Sequence, residues 1–146
     1  MTKATAKKIV GLCLTWYHKN YDTTITVSDI KLLTKKQMLE IVPENAVWYD
    51  SPDFDGLCGY CISPRNEPNG MAHIGILYKT MNSMRQLVMT LLHELKHWEL
   101  NTPDTEFFST LEEIGGNIWM HPEELECDKF ASENLSRCYQ FVTKNI

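Results

Sequence analysis

Residues 90–98 read TLLHELKHW and contain the pattern H-E-x-x-H, in which Glu94 directly follows His93 and His97 lies four positions after His93. On an α-helix, positions four apart lie on one face. Two imidazole rings can therefore reach the same Zn²⁺, while Glu94 points to the side where a metal-bound water would sit. The pattern predicts a metal site, provided that the segment is helical.

The neighbouring residues predict that helix. Ser83 and Gln86 have the spacing of a capping box, whose side chains bond unpaired backbone N–H groups at a helix start. Pro103 disfavours helix in the residue before it and marks the end. Two histidines on a buried helix need partners, and a bound metal would supply them; two hydrogen-bonded core histidines are the alternative. The stripe at helical spacing that predicts burial of this helix contains Met84, Val88, Leu91, Leu95 and Trp98, widened by Leu87 and Leu92.

Length, charge and cysteine content narrow the class of protein. The 146 residues have ordinary apolar and charged fractions and predict a single domain over 1–146. The net charge of −5 argues against a nucleic-acid partner, and no apolar run is long enough to span a membrane. Five scattered cysteines, an odd number, predict free thiols and a cytoplasmic location. Cys58 and Cys61 form C-x-x-C, but without a second such pair they do not predict a structural zinc site.

Hydrophobic periodicity and turn signals elsewhere predict an α+β fold. We expect a small sheet of three or four strands, with the motif helix packed on it and a C-terminal helix completing a cleft beside the sheet edge. The predicted helices are 4–20, 29–41, a short one around 107–114, and 122–143. The predicted strands are 23–27, 46–49, 57–62 and 72–78.

A third metal ligand must come from outside the motif, because a catalytic zinc usually has three protein ligands and one open position. If 122–143 is helical, Glu124 and Asp128 share a face. Glu124 could then bind the metal while Asp128 accepts the outer N–H of a ligating histidine. His121 and Glu126 are alternative ligands. A purely structural metal is less expected, since closed structural sites favour cysteines and none is near the two histidines in sequence.

Two segments together resemble a known group of enzymes. HELKH (residues 93–97) and ELECDKFA (residues 124–131) are similar to the motifs of the gluzincin clan of zinc metallopeptidases, whose second motif often reads E-x-E-A-[DN]-x-F-A. Small bacterial and phage ImmA/IrrE-like proteins carry a close version. The resemblance covers roughly residues 70–135 and implies a minimal zincin-like domain. It implies Zn²⁺ bound by His93, His97 and Glu124, with Glu94 as catalytic base and Asp128 orienting a histidine. Cys127 replaces the clan's usual alanine, one small residue for another.

The activity that this resemblance implies is hydrolysis of a peptide or protein substrate. The substrate would lie as an added strand along strand 72–78, which precedes the motif helix. Spacing does not choose the group that stabilises the oxyanion among the candidates Tyr60, His73, Tyr78 and His121. The alternative is a scaffold of the same fold that no longer cleaves and acts as a binding or regulatory module. The intact Glu94 favours the enzyme, because a binding scaffold has no chemical need for a base beside the ligands.

Overall fold

The computed structural model describes residues 1–42, 56–64 and 71–146. This part of the chain forms a mostly helical α+β fold with a small mixed sheet, in agreement with the predicted class. In chain order the elements are α1 (Lys3–Asn20), β1 (Ile30–Leu32), α2 (Lys35–Ile41), β2 (Gly59–Ile62), β3 (His73–Ile76), α3 (Met84–Leu100), α4 (Asp104–Glu113) and α5 (Pro122–Asn145). Short 3₁₀ turns occur at Val27–Asp29, Tyr78–Thr80 and Ile118–Met120. None of the helices in these ranges combines the length and apolarity that a membrane span requires.

The sheet has β3 at its centre. β1 pairs with β3 in parallel and β2 pairs with it antiparallel, so that Tyr60 lies opposite Gly75. Among the described residues, β1 and β2 are therefore the edge strands. The expectation that a substrate extends the sheet along 72–78 is wrong, because β3 already has a strand on each side. β2 is the edge strand that packs against α3.

The core lies between the sheet and three helices, with α3 in contact with α1, α5 and the sheet. Burying each large apolar side chain of α3 contributes about 1.5–3 kcal/mol, so the motif helix is anchored firmly. Its fully buried apolar residues are Leu87, Val88, Leu91, Leu92 and Leu95. A second, smaller cluster joins α2 to the sheet and contains Met38, Val42, Tyr60 and Leu77.

The limits of α3 follow the signals in the sequence. The Ser83 hydroxyl accepts a hydrogen bond from the Gln86 N–H at 3.1 Å, which is half of the predicted capping box. The Gln86 side chain instead accepts from the N–H of Asn82, at 3.0 Å. At the other end Asn101 adopts a left-handed conformation with φ of 50°, and Pro103 then precedes α4. The histidines therefore lie in the last two turns of a well-defined helix.

The N-terminal half departs from the prediction. No strand forms over 23–27, and the helix predicted over 29–41 begins only at Lys35, because Ile30–Leu32 joins the sheet as β1. Thr34 caps α2 by accepting from the Gln37 N–H at 3.2 Å. The strand predicted over 46–49 lies outside the described residues. The other predicted helices and strands agree with α1, β2, β3, α4 and α5 to within a few residues.

Candidate metal centre

The two histidines of the motif face the first turns of α5. They lie one turn apart on α3, and their Nε2 atoms are 3.1 Å from each other. α5 packs against α3. Residues in the first two turns of α5 thereby reach the imidazole rings.

Glu124 is the residue of α5 that contacts both rings. Its Oε2 lies 3.0 Å from His93 Nε2, and its Oε1 lies 2.8 Å from His97 Nε2. Donor atoms around a tetrahedral zinc lie about 3.3 Å apart, because each is about 2.0–2.1 Å from the ion. The three side chains therefore already have nearly the spacing that a shared ion requires.

The outer nitrogens of both rings face further carboxylates. His93 Nδ1 lies 2.8 Å from Asp128 Oδ1, and His97 Nδ1 lies 3.5 Å from an oxygen of Glu123. Ionised carboxylates only accept hydrogen bonds, so each Nδ1 carries a hydrogen. In a neutral ring the Nε2 lone pair then faces the Glu124 carboxylate, which is also an acceptor. Such a meeting of acceptors requires either a cation or an additional proton on each ring.

The pKa values of these groups reflect the same demand for positive charge. Burial by itself lowers the pKa of both histidines, but other contacts outweigh it. The hydrogen bond to Glu124 raises the pKa of His93, and hydrogen bonds to Cys127, Glu123 and Glu124 raise the pKa of His97. Burial opposes ionisation of Glu124, yet hydrogen bonds from the two histidines lower the pKa of its carboxyl to about 2. Without an ion, protons on the histidines thus supply the positive charge that a metal would supply.

Glu94 lies beside the histidines at the wall of a cavity of about 370 Å³. Its side chain is buried, and burial raises its pKa against the lowering effect of both histidines. The cavity is bounded by β2 on one side and α5 on the other, where the sequence predicts a cleft. Its apolar walls include Leu57, Met89, Phe107, Ile118 and Trp119.

The two alternative ligands have other roles. His121 Nδ1 accepts the Glu123 N–H at 3.0 Å and so caps α5, while its ring stacks on Phe107 with centroids 4.0 Å apart. Glu126 is exposed and lies 3.8 Å from Lys96 Nζ. The structure brings Glu124 to the histidines and uses the other two residues elsewhere.

The candidate oxyanion stabilisers also have structural roles. The Tyr60 hydroxyl donates to His73 Nε2 at 2.6 Å, because His73 Nδ1 donates to the Met71 carbonyl at 2.7 Å and leaves Nε2 as an acceptor. Burial lowers the pKa of His73, which keeps its ring neutral. Tyr78 is buried in the core. His121, the fourth candidate, caps α5.

Cys127 is, with Glu123, a residue of this site that the sequence analysis missed. It is fully buried on α5, and its Sγ forms a group with one ring nitrogen each of His93 and His97 in which all atoms lie within 4.8 Å of one another. Burial raises the pKa of its thiol to about 11, although hydrogen bonding to His97 lowers it. Its position three residues after Glu124 places both on one face of α5, which is the signal that could have indicated it.

The C-x-x-C pair shows no comparable arrangement. Cys58 and Cys61 are both half-buried free thiols, the first just before β2 and the second within it. Burial raises the pKa of Cys61 well above its usual range, and the charge of Glu94 adds to this effect. The raised pKa disfavours the thiolate of Cys61, and the thiolate is the reactive form of cysteine.

No family model, no curated protein and no solved structure matches this chain. The case for a function therefore depends on the geometry of the site and on the chemistry of its residues.

Proposed function

We propose that this protein is a zinc-dependent metallopeptidase with a minimal zincin-like fold. The observation that supports the proposal is the meeting of His93 Nε2, His97 Nε2 and the Glu124 carboxylate, 2.8–3.1 Å apart, with carboxylates behind both rings. A site of two histidines and one glutamate is of the kind that hydrolyses peptides. Glu94 lies beside this donor set in the cavity wall, as the resemblance to the gluzincin clan requires.

Each residue has a chemical task in this proposal. Zinc, when bound, would polarise a water molecule and the substrate carbonyl. Glu94 accepts a proton from that water and later donates it to the leaving amine. Asp128 holds His93 by its Nδ1–H, which keeps Nε2 facing the Glu124 carboxylate, where the two residues would hold the ion. Burial raises the pKa of Glu94 in the metal-free protein, which shows that its carboxyl group lies in a poorly hydrated position beside the histidines.

The substrate backbone would pair with β2. This strand is an edge of the sheet among the described residues, and Gly59 and Cys61 of β2 line the cavity beside Glu94. An extended peptide added to an edge strand gains main-chain hydrogen bonds, while pockets along the strand select its side chains. The apolar walls of the cavity favour a substrate with a large apolar residue near the cleaved bond.

The test is the variant Glu94→Gln, which keeps the size of the side chain and removes its basicity. We expect the zinc-loaded variant to hold as much metal as the wild type and to cleave casein and internally quenched peptides about 10²–10⁴-fold more slowly. Glu126→Gln is the matched control, because Glu126 is an exposed carboxylate outside the histidine cluster. If Glu94→Gln hydrolyses these substrates as fast as the wild type, Glu94 is not the general base.

A second candidate is a metal-binding module that does not cleave. The observation that favours it is the Cys127 thiol within reach of the same histidines, because additional protein donors leave less room for water on an ion. Zinc-loaded wild-type protein that cleaves none of these substrates at any pH between 5 and 9 would favour this candidate over the peptidase.

A further inference from the structure

We infer that Cys127 is a fourth ligand of the metal, so that the resting site is closed by His93, His97, Glu124 and a thiolate from the same turn of α5. This inference depends on the metal site and not on hydrolysis, so it holds for either candidate function.

Cys127 lies close to both histidines. Glu124 and Cys127 lie three residues apart on α5 and therefore project from the same face toward α3. Cys127 is completely buried, and its Sγ lies within 4.8 Å of a ring nitrogen of each histidine. A zinc-bound sulfur lies about 2.3 Å from the ion and a nitrogen about 2.0–2.1 Å, so tetrahedral neighbours are about 3.6 Å apart. Binding of a shared ion would therefore draw the Cys127 sulfur and the two ring nitrogens closer together than their 4.8 Å limit.

A cysteine thiolate is a suitable ligand for zinc. Zinc accepts thiolate, imidazole and carboxylate ligands together, and thiolate is the softest and most strongly preferred of the three. Coordination deprotonates a thiol outright, so a neutral Cys127 would become a thiolate as the ion enters and would release one proton. The negative charge would then be balanced by the metal in a buried position where a free thiolate would be costly.

A fourth protein ligand would restrict the access of water to the ion. Four protein donors fill a tetrahedral site, whereas a catalytic site keeps one position open. Water or substrate would reach the ion only when a donor leaves, and the Cys127 thiolate could leave by taking up a proton and becoming a neutral thiol. The thiolate would thus act as an internal cap on the metal.

A weaker role for Cys127 must be separated from ligation. Its thiol also bonds His97, and loss of such an outer partner typically lowers metal affinity about 10- to 100-fold. Affinity alone therefore cannot distinguish a ligand from a positioning residue. A spectroscopic signal from a metal–sulfur bond can distinguish them.

The experiment replaces zinc by Co²⁺ in the full chain and records the absorption spectrum. We expect the wild type to show a thiolate-to-cobalt charge-transfer band in the near ultraviolet with one Co²⁺ bound per chain. The band should disappear in Cys127→Ser and Cys127→Ala, which should also bind Co²⁺ at least about 10-fold more weakly. It should persist in a double variant with Cys58→Ala and Cys61→Ala, the matched control at and just before β2. Circular dichroism checks that each variant is folded.

Several outcomes would overturn the inference. A wild-type protein that binds Co²⁺ without the charge-transfer band has no sulfur ligand, and this result needs no variant to fold. If the band persists in Cys127→Ser and vanishes in the Cys58→Ala, Cys61→Ala double variant, the sulfur ligand is Cys58 or Cys61 and not Cys127. Peptide hydrolysis is measured separately. A thiolate band in an inactive protein supports ligation by Cys127 and contradicts the peptidase. Hydrolysis by a protein without the band supports the peptidase and contradicts ligation by Cys127.

Discussion

Three side chains meet between α3 and α5, and each is oriented by a neighbour. Asp128 lies behind His93, Glu123 lies behind His97, and both rings in turn bond Glu124. Helical spacing within the motif was enough to predict that His93 and His97 lie together, because the i, i+4 relation does not depend on the rest of the fold. The same reasoning on α5 indicated Glu124 and Asp128. It could not weigh Cys127, since the reach of a short thiol depends on how closely two helices pack.

At the scale of single residues, the acid–base properties of the cluster predict a pH dependence of stability in chelated protein. Glu124 has a folded pKa of about 2, below its ordinary 4.5, so its contribution to stability is present above about pH 4.5 and is lost as the pH falls toward 2. His93 and His97 have raised pKa values, so their contribution is complete below about pH 6.5 and is lost as the pH rises through the folded values. We expect the cluster to stabilise the metal-free fold most between about pH 4.5 and 6.5.

The measurement is the midpoint of thermal unfolding in EDTA, followed across pH 3–9. Glu124→Gln should flatten the profile on both sides, because it removes the carboxylate and the partner of both rings. Glu126→Gln should follow the wild type, since it removes one exposed carboxylate without touching the histidines. Parallel profiles for wild type and Glu124→Gln would show that the cluster does not titrate as described.

At the scale of elements, the close approach of β2 to α3 places the cavity wall beside Glu94. This approach depends on Gly59. A Cβ at that position would lie 2.8 Å from Thr90 Cγ2, 3.1 Å from the Gly75 carbonyl oxygen and 3.4 Å from Glu94 Cγ. The backbone oxygen cannot move without disturbing the sheet, so a side chain at residue 59 must push β2 away from the helix.

We therefore expect Gly59→Ala to destabilise the fold by about 1–3 kcal/mol through overpacking. Adding Thr90→Ser removes the shortest contact and should restore part of the lost free energy of unfolding. Urea denaturation of the two single variants and the double variant would measure this recovery as a coupling energy. Gly11→Ala is the control, because a Cβ on this α1 residue meets nothing within 4 Å and alanine is the better helix former. A Gly59→Ala variant as stable as the wild type would contradict the close packing.

The errors in the predicted elements also belong to this scale. The alternating run at 23–27 resembles a strand, yet the sheet pairs Ile30–Leu32 with β3, more than forty residues later in the chain. Strand formation depends on such a partner more than on local propensity, so the choice between the two segments was not readable locally. The start of α2 was readable, because Thr34 and Gln37 form a capping box. The predicted helix begins at residue 29 instead, where only a 3₁₀ turn forms.

At the scale of the whole molecule, the candidate site connects distant parts of the chain. α3 contributes His93, His97 and Glu94, α5 contributes Glu124, and β2 contributes the opposite wall of the cavity. The sequence predicted the helices that carry these residues and a cleft beside the sheet edge. It misplaced the edge itself, because strand order in a sheet follows from pairing and not from the order of segments along the chain. An ion shared by α3 and α5 would stabilise their packing as well as supply chemistry.

The central claim is that His93, His97 and Glu124 hold one metal ion, and zinc binding by the purified chain tests it most directly. We predict one zinc per wild-type chain by elemental analysis, with affinity reduced in His93→Ala, His97→Ala and Glu124→Ala by more than the 10- to 100-fold typical of losing an outer hydrogen-bond partner. His121→Ala should lose the cap of α5 and keep its zinc, since that ring stacks on Phe107 instead of joining the cluster. A wild-type chain that binds no zinc, or a Glu124→Ala variant that keeps full affinity while His121→Ala loses it, would contradict the account.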